Sequence, residues 1–229
     1  MAVFVIGDTH LSLTAEKPMD VFKGWVNYVE QLQANWEQNV SEDDTVVVAG
    51  DISWGISMEE ALADFRFIND LPGKKIFLKG NHDYWWSTKN KMETFLEENG
   101  LDTIKIMSNN AYKADGIIIC GTRGWLFEKG EPHDQKMVAR EAGRLRLSLQ
   151  EGKKLGDEER VVFLHYPPVY SDEICPEIID VMIENGIKRC YYGHIHSVGC
   201  RYALNGNYLG IDFSLISSDY VKFCPVKVT

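Results

Sequence analysis

A chain of 229 residues with 45% hydrophobic and 25% charged residues has the composition of a soluble globular protein, large enough for a sizeable core. Its 34 acidic residues outnumber 24 basic ones, giving a formal charge of −10. That balance argues against long nucleic acid or an anionic membrane as partners, both of which call for basic patches. It leaves a small phosphorylated substrate open, because bound metal cations would dominate the local field.

Met1 runs straight into the apolar stretch Ala2–Ile6, without a basic leader, and five residues fall far short of the roughly 20 that span a bilayer. We read this stretch as a buried strand and expect a cytoplasmic protein. The odd count of five cysteines (Cys120, Cys175, Cys190, Cys200, Cys224) contains no Cys-x-x-Cys pair, so reduced thiols are expected. Cys200 and Cys224 fall on apparent strands, but sequence alone cannot pair them.

The first strand ends in Gly7-Asp8-Thr9-His10. Val21, Phe22, Trp25, Tyr28, Val29, Leu32 and Trp36 then recur at threes and fours, which predicts a helix from Pro18 to about Gln38. A strand over Thr45–Ala49 ends in Gly50-Asp51. Ser57, with Glu60 three residues on, reads as a capping box opening a helix through Phe67. The strand Ile76–Leu78 ends in Gly80-Asn81-His82-Asp83, and a short helix is expected from Lys89 to about Glu98. Strand–helix–strand–helix–strand implies parallel βαβ units with right-handed crossovers.

Further along, Thr103–Met107 and Gly116–Cys120 read as strands, and 128–134 as a polar turn containing His133. A charged helix is predicted from about Gln135 to Lys153, with Met137, Val138, Leu145 and Leu149 facing inward. Arg160–Leu164 reads as a strand ending at His165, Pro176 opens a helix that stops at Gly186, and Lys188–Tyr192 leads into Gly193-His194-Ile195-His196. From Val198 to Val228, alternation with turn signals at Asn205-Gly206 and Ser217-Ser218-Asp219 predicts antiparallel hairpins. No linker or repeat divides the chain, so residues 1–229 are expected to form one domain.

The strand ends carry the chemistry. Five of six histidines fall in strand-end segments, His133 being the exception. Unpaired polar groups are costly in a core, but at the ends of strands in open α/β folds they line ligand-binding crevices. Asp8, His10, Asp51, Asn81, His165, His194 and His196 together offer carboxylate, imidazole and amide donors without thiolate. That set suits Mn, Fe, Zn, Co or Ni over a structural zinc, and it is too large for one open catalytic ion. Read as extended segments, Asp8-x-His10 and His194-x-His196 each direct alternate side chains to one face, toward one centre or two adjacent ones. The expected cofactor is a pair of divalent or trivalent ions, with Mn or Fe favoured.

Asp8-x-His10, Gly50-Asp51, Gly80-Asn81-His82-Asp83, His165 and Gly193-His194-x-His196, in this order over positions 7–196, resemble the signature of the calcineurin-like metallophosphoesterases. The resemblance implies an α/β fold, a four-layer αββα sandwich of two mixed β-sheets. It implies that Asp8, His10 and His196 hold one ion, that Asn81, His165 and His194 hold the other, and that Asp51 bridges them. It also implies hydrolysis of a phosphomonoester or phosphodiester by in-line attack of metal-bound hydroxide, with His82 as proton donor. The serine/threonine protein phosphatase branch extends the second block to Gly-Asp-x-Val-Asp-Arg-Gly, whereas this chain reads Gly50-Asp51-Ile52-Ser53-Trp54-Gly55. The partner that branch gives its histidine is therefore missing here, and Asp83 offers either a substitute or a loop-shaping hydrogen bond.

Arg123, Tyr84 and Asp83 are the remaining candidates for contacts with substrate; Arg123 has the guanidinium fork that matches phosphate oxygens. Trp54, Trp85, Trp86 and Trp125 either stack on a substrate ring or pack in the core. Two rival functions use the same residues: a cyclic-nucleotide phosphodiesterase or nuclease, and a non-catalytic scaffold, which would be expected to have lost ligands that this chain retains.

Overall fold

The computed structural model describes residues 1–126 and 135–229. Five strands build the first sheet: β1 (Val3–Ile6), β2 (Thr45–Ala49), β3 (Lys74–Leu78), β4 (Ile104–Ile106) and the antiparallel edge strand at Val226–Lys227. β1 to β4 run parallel, in chain order, as the βαβ reading requires. Helices α1 (Tyr28–Asn39), α2 (Leu62–Asp70) and α3 (Lys89–Glu98) connect them or follow them.

The second sheet contains β5 (Tyr112–Ala114), β6 (Ile117–Thr122) and β7 (Glu159–Leu164). A small ribbon of β8 (Val169–Tyr170) and β9 (Glu173–Ile174) precedes β10 (Arg189–Tyr192), β11 (Gly206–Tyr208) and β12 (Ile211–Leu215). The edge strand of the first sheet, Val226–Lys227, is β13. The second sheet runs β11-β12-β10-β7-β6-β5, with β12, β10, β7 and β6 parallel and antiparallel strands at both edges. It is covered by α4 (Gln135–Leu155) and α5 (Pro176–Glu184).

Three apolar clusters define the layers, because successive side chains of a strand point to opposite faces. Val3, Val5, Val47 and Ile76 meet Ile117, Ile119, Val161 and Phe163 between the two sheets. Phe4, Val46, Val48 and Phe77 turn outward against Leu32, Trp36, Phe65 and Met92 of the first three helices. Ile118, Val162 and Tyr192 turn outward against Leu145, Leu149, Ile178 and Met182 of α4 and α5. The result is the expected αββα sandwich, its parallel strands buried on both faces.

Four local expectations are corrected. The helix expected from Pro18 starts only at Tyr28, because Gly24 (φ +96°) and Asn27 (φ +53°) are left-handed and interrupt it. The preceding turns expose Val21, Phe22 and Val26 while burying Trp25. The capping residues at Ser57 hold a turn ahead of α2, where Ser57 Oγ accepts from Glu60 N and Glu60 reaches back to Ile56 N rather than to Ser57. Finally, Asn205-Gly206 is not a hairpin turn: Gly206 begins β11, the reversal falls at Leu209-Gly210, and β12 then joins the sheet parallel to β10. Residues Ser197–Tyr202 form a 3-10 helix in place of a strand.

β6 and α4 extend slightly past their expected ends, and Val138, Leu145 and Leu149 are buried as expected, with Met137 half-buried. The polar turn 128–134, with His133, lies outside the described residues. All five cysteines are free, including Cys200 and Cys224. Among the described residues no helix is long and apolar enough to cross a membrane.

Candidate metal centre

The carboxyl ends of β1, β2, β3, β7 and β10 bring the seven candidate ligands together. Asp8, His10 and His196 form one cluster and Asp51, His165 and His194 a second, the donor atoms of each lying within 4.8 Å of one another. Asn81 belongs with the second: its Oδ1 is 2.6 Å from His165 Nε2 and 2.9 Å from His194 Nδ1. The two histidines of His194-x-His196 therefore part company. Asp8-x-His10 does reach one cluster, but not through an extended segment. Asp8 (φ +58°), His10 (φ +45°), Asp51 (φ +50°) and His194 (φ +73°) are all left-handed, a conformation that L residues avoid. Such strain persists only where the surroundings enforce it, and it concentrates at functional sites.

The glycines of the motifs make room for this packing. A Cβ on Gly80 would collide with the backbone nitrogen and carboxylate of Asp51, and one on Gly193 with the carboxylate of Asp8. Gly80 is thus required for the close approach of Asp51, rather than for a left-handed turn.

Burial dominates the electrostatics. It pushes the Asp8 carboxyl up to about 7 and raises Asp51 as well. It holds His10 well below the usual imidazole range and takes His165 down to about 3 and His194 to about 2. His196 goes the other way: burial alone would lower it, but Asp219 and the carboxylates of Asp8 and Asp51 raise it to about 9. Four imidazoles, of which His10, His165 and His194 are held neutral, converge with two buried carboxylates and an amide oxygen, without a lysine or arginine among them. His10 Nε2 faces His196 Nε2 at 3.4 Å, and His10 Nδ1 is buried without a hydrogen-bond partner among the described residues. This collection of lone pairs fits cations.

Hydrogen bonds behind the clusters orient the rings. His165 Nδ1 lies 3.2 Å from the Ala49 carbonyl, which can only accept, so Nε2 is left to face the cluster. Asp219 does the same for His196: Oδ1 is 2.8 Å from Nδ1, and Oδ2 accepts from Ser197 N at 2.8 Å. Sequence reasoning missed Asp219. Its signal was present, since it follows β12 as the other site residues follow their strands, but the segment reads as a hairpin. Trp25 was also missed as a site neighbour; its ring centroid is 5.7 Å from that of His10 and 5.8 Å from that of His196.

His82 stands beside the first cluster, its ring centroid 5.8 Å from that of His10. Tyr84 Oη is 3.3 Å from His82 Nδ1, and Trp54, at the position of the second Asp of the protein phosphatase block, lies 4.5 Å from the His82 ring. Asp83 does not pair with His82, and it is not offered to substrate. Its buried carboxylate accepts from Asp51 N (2.9 Å), Gly80 N (2.7 Å), Ile52 N (2.8 Å), Ser53 N (3.4 Å) and Trp85 Nε1 (3.1 Å), which locks the β2 and β3 loops together. Arg123 lies outside both clusters: its guanidinium is 5.1 Å from the centroid of Trp125 and 5.9 Å from that of Tyr166, whose ring lies 4.2 Å from that of His194. Trp85 is buried in the core.

Strand-end carboxylates and imidazoles on a four-layer sandwich define a candidate dinuclear metal centre. The profile of the calcineurin-like phosphoesterases matches residues 1–198, and the chain belongs to that family. It is accordingly a metal-dependent phosphoesterase, a hydrolase. No curated protein matches the chain. Among solved structures, phosphopantetheinyl hydrolase from Mycobacterium tuberculosis is 14% identical, with a TM-score of 0.53 over 99% of this chain and 95% of that one. A protein of unknown function from Aquifex aeolicus is 16% identical, with a TM-score of 0.52 over 99% and 95%. A purple acid phosphatase from yellow lupin (Lupinus luteus) is 12% identical, with a TM-score of 0.50 over 94% of this chain and 43% of that one. At these identities the likeness is one of fold.

Proposed function

We propose that the protein hydrolyses a small phosphomonoester or phosphodiester with two transition-metal ions, Mn or Fe in preference to Zn, Co or Ni. Asp8, His10 and His196 would hold one ion and Asn81, His165 and His194 the other, with Asp51 between the two groups of side chains. The observation that carries this reading is the position of Asp51: its Oδ2 is 3.7 Å from His10 Nε2 in one cluster, and its Oδ1 is 3.6 Å from His165 Nε2 in the other. When bound, such a pair supplies a hydroxide nucleophile near neutral pH and neutralises phosphate oxygens.

The chain's own residues do the rest. Asn81 contributes an amide oxygen without adding charge to a site that already holds two carboxylates. Asp219 and the Ala49 carbonyl fix the rings of His196 and His165. His82 protonates the leaving oxygen: the Tyr84 hydroxyl engages Nδ1 and Trp54 packs on the ring, which leaves Nε2 for the substrate. Retention of every ligand type and of His82 supports an enzyme over a scaffold, and the charge of −10 supports small substrates over long nucleic acid. Five free cysteines agree with a reducing, cytoplasmic setting.

The test is turnover by the purified, Mn²⁺-reconstituted chain of aryl phosphate mono- and diesters, cyclic nucleotides and oligonucleotides side by side. Hydrolysis of the small esters ahead of the oligonucleotides is expected. Absence of turnover on all four would refute the reading, and preference for oligonucleotides would replace it with a nuclease.

A further inference from the structure

Beside the metal centre, at the carboxyl ends of β3 and β6, lies a cavity of about 340 Å³ that bridges the two sheets. Lys79, Arg123 and Arg144 line it, together with Ser87, Ser108 and Thr122. In a chain of charge −10, three cations gathered in one cavity call for an explanation. Among the described residues, one carboxylate lies within ion-pair distance of any of them. Glu141 is fully buried and accepts from Thr122 Oγ1 (2.7 Å) and Arg144 Nη1 (2.8 Å), with Arg123 Nη2 at 3.8 Å. It holds Arg144 by a hydrogen bond and lies within ion-pair distance of Arg123 and of Arg140, so a single negative charge is shared and cannot offset the three cations of the cavity. The Lys79 ammonium makes no side-chain hydrogen bond and no ion pair within 4 Å among the described residues; Asp83 and Glu141 attract it from farther off, and Arg123 and Arg144 repel it. Arg123 leaves Nε and Nη2 buried with no hydrogen-bond partner among the described residues, so the protein itself meets its charge only in part.

The cavity is also close to the reacting groups. Lys79 is two residues before Asn81, and the Arg123 carbonyl accepts from the backbone nitrogens of His165 (3.1 Å) and Tyr166 (2.8 Å). The Tyr166 ring stands between the Arg123 guanidinium and His194. The cavity is therefore lined by residues that are chain or hydrogen-bond neighbours of the candidate ligands Asn81 and His165.

We propose that this pocket binds a second phosphoryl group, so that the substrate carries one phosphate at the metal centre and another held by Lys79, Arg123 and Arg144. Paired guanidiniums match the oxygens of a phosphate dianion, and an adjacent ammonium adds a point charge. The substrate class is then a small bisphosphorylated molecule. This assignment rests on the phosphoesterase reading above, and the test separates the two.

The metal-loaded full chain is titrated with inorganic phosphate by calorimetry, beside the double variant Lys79→Gln/Arg144→Gln, in which both substitutions fall on partly exposed side chains and keep Glu141 hydrogen-bonded to Thr122. Two phosphate sites are expected in the wild type and one in the variant. Equal stoichiometry in the two proteins would overturn the pocket and leave the metal site standing. One site in the wild type and none in the variant would keep the pocket and count against the metal centre as a phosphate site. A second arm compares butane-1,4-diol bisphosphate with butyl phosphate. The wild type should favour the bisphosphate by about tenfold or more in kcat/KM, as expected for one added charge-assisted contact, and the variant should lose that preference. Two phosphate sites without a bisphosphate preference would make the pocket a free-anion site and overturn its place in the substrate.

Discussion

Asp219→Asn isolates the contribution of a residue that touches no metal. Asparagine keeps the size of the side chain but offers one acceptor to two N–H groups, those of the His196 ring and the Ser197 backbone. Whichever way the amide turns, its NH₂ meets a donor. Loss of the carboxylate removes both the orientation of His196 and the charge that raises the basicity of its other nitrogen. Removal of such a supporting group costs about 10–100-fold in metal affinity, or about 1.4–2.7 kcal/mol. The expected result is that Mn²⁺ titration of the variant shows one ion weakened by this factor and the other, at Asn81, His165 and His194, unaffected. A proton linkage in the metal-free chain gives an independent readout. His196 is raised from 6.5 to about 9 in the folded state, so its contribution is fully present below about pH 6.5 and is lost as pH rises through about 9. That interval corresponds to on the order of 3 kcal/mol, and Asp219 supports it twice, through its hydrogen bond and through its charge, beside Asp8 and Asp51. Denaturant melts from pH 6 to 9 should therefore have a shallower pH dependence in the variant. Unchanged affinity for both ions and an unchanged pH slope would refute the reasoning.

Three further outcomes follow from the geometry. His82→Ala should lower kcat by about 10²–10⁴-fold while metal analysis finds both ions still bound; loss of the metals would make His82 a ligand. Asp83→Asn removes the acceptor for Asp51 N and Gly80 N, and should destabilise the fold by roughly 2–5 kcal/mol in chemical denaturation; a loss under 1 kcal/mol would show that the clamp is dispensable. Gly193→Ala forces a methyl against the Asp8 carboxylate and should cost about 1–3 kcal/mol and empty the Asp8 cluster first, read by metal stoichiometry. Full occupancy with unchanged stability would show that the backbone can yield there.

The chain's own order of residues determined a great deal. Apolar runs that stop at Gly and a polar group marked β1, β2, β3 and β10, and one that stops at His165 marked β7; the helices between them fixed a parallel core, because a parallel strand pair needs a crossover. The same runs placed seven donors at one edge, since strands that run in one direction end on one side.

Tertiary structure decided the partition and the support. Left-handed residues at Asp8, His10, Asp51 and His194 redirect side chains away from simple alternation, so spacing could not say that His194 and His196 serve different clusters. Asp219 reaches His196 across 23 residues of sequence, because β12 runs parallel to β10 and ends at the same edge, a pairing that local alternation does not encode. Asp83 was legible as an acid beside His82, but its direction was not: the donors that claim it come from a loop some thirty residues earlier, brought near only when β2 and β3 pair. Short-range patterns fix which chemistry a segment carries. Which atoms then meet is set by strand order and by the close contacts that Gly80 and Gly193 permit.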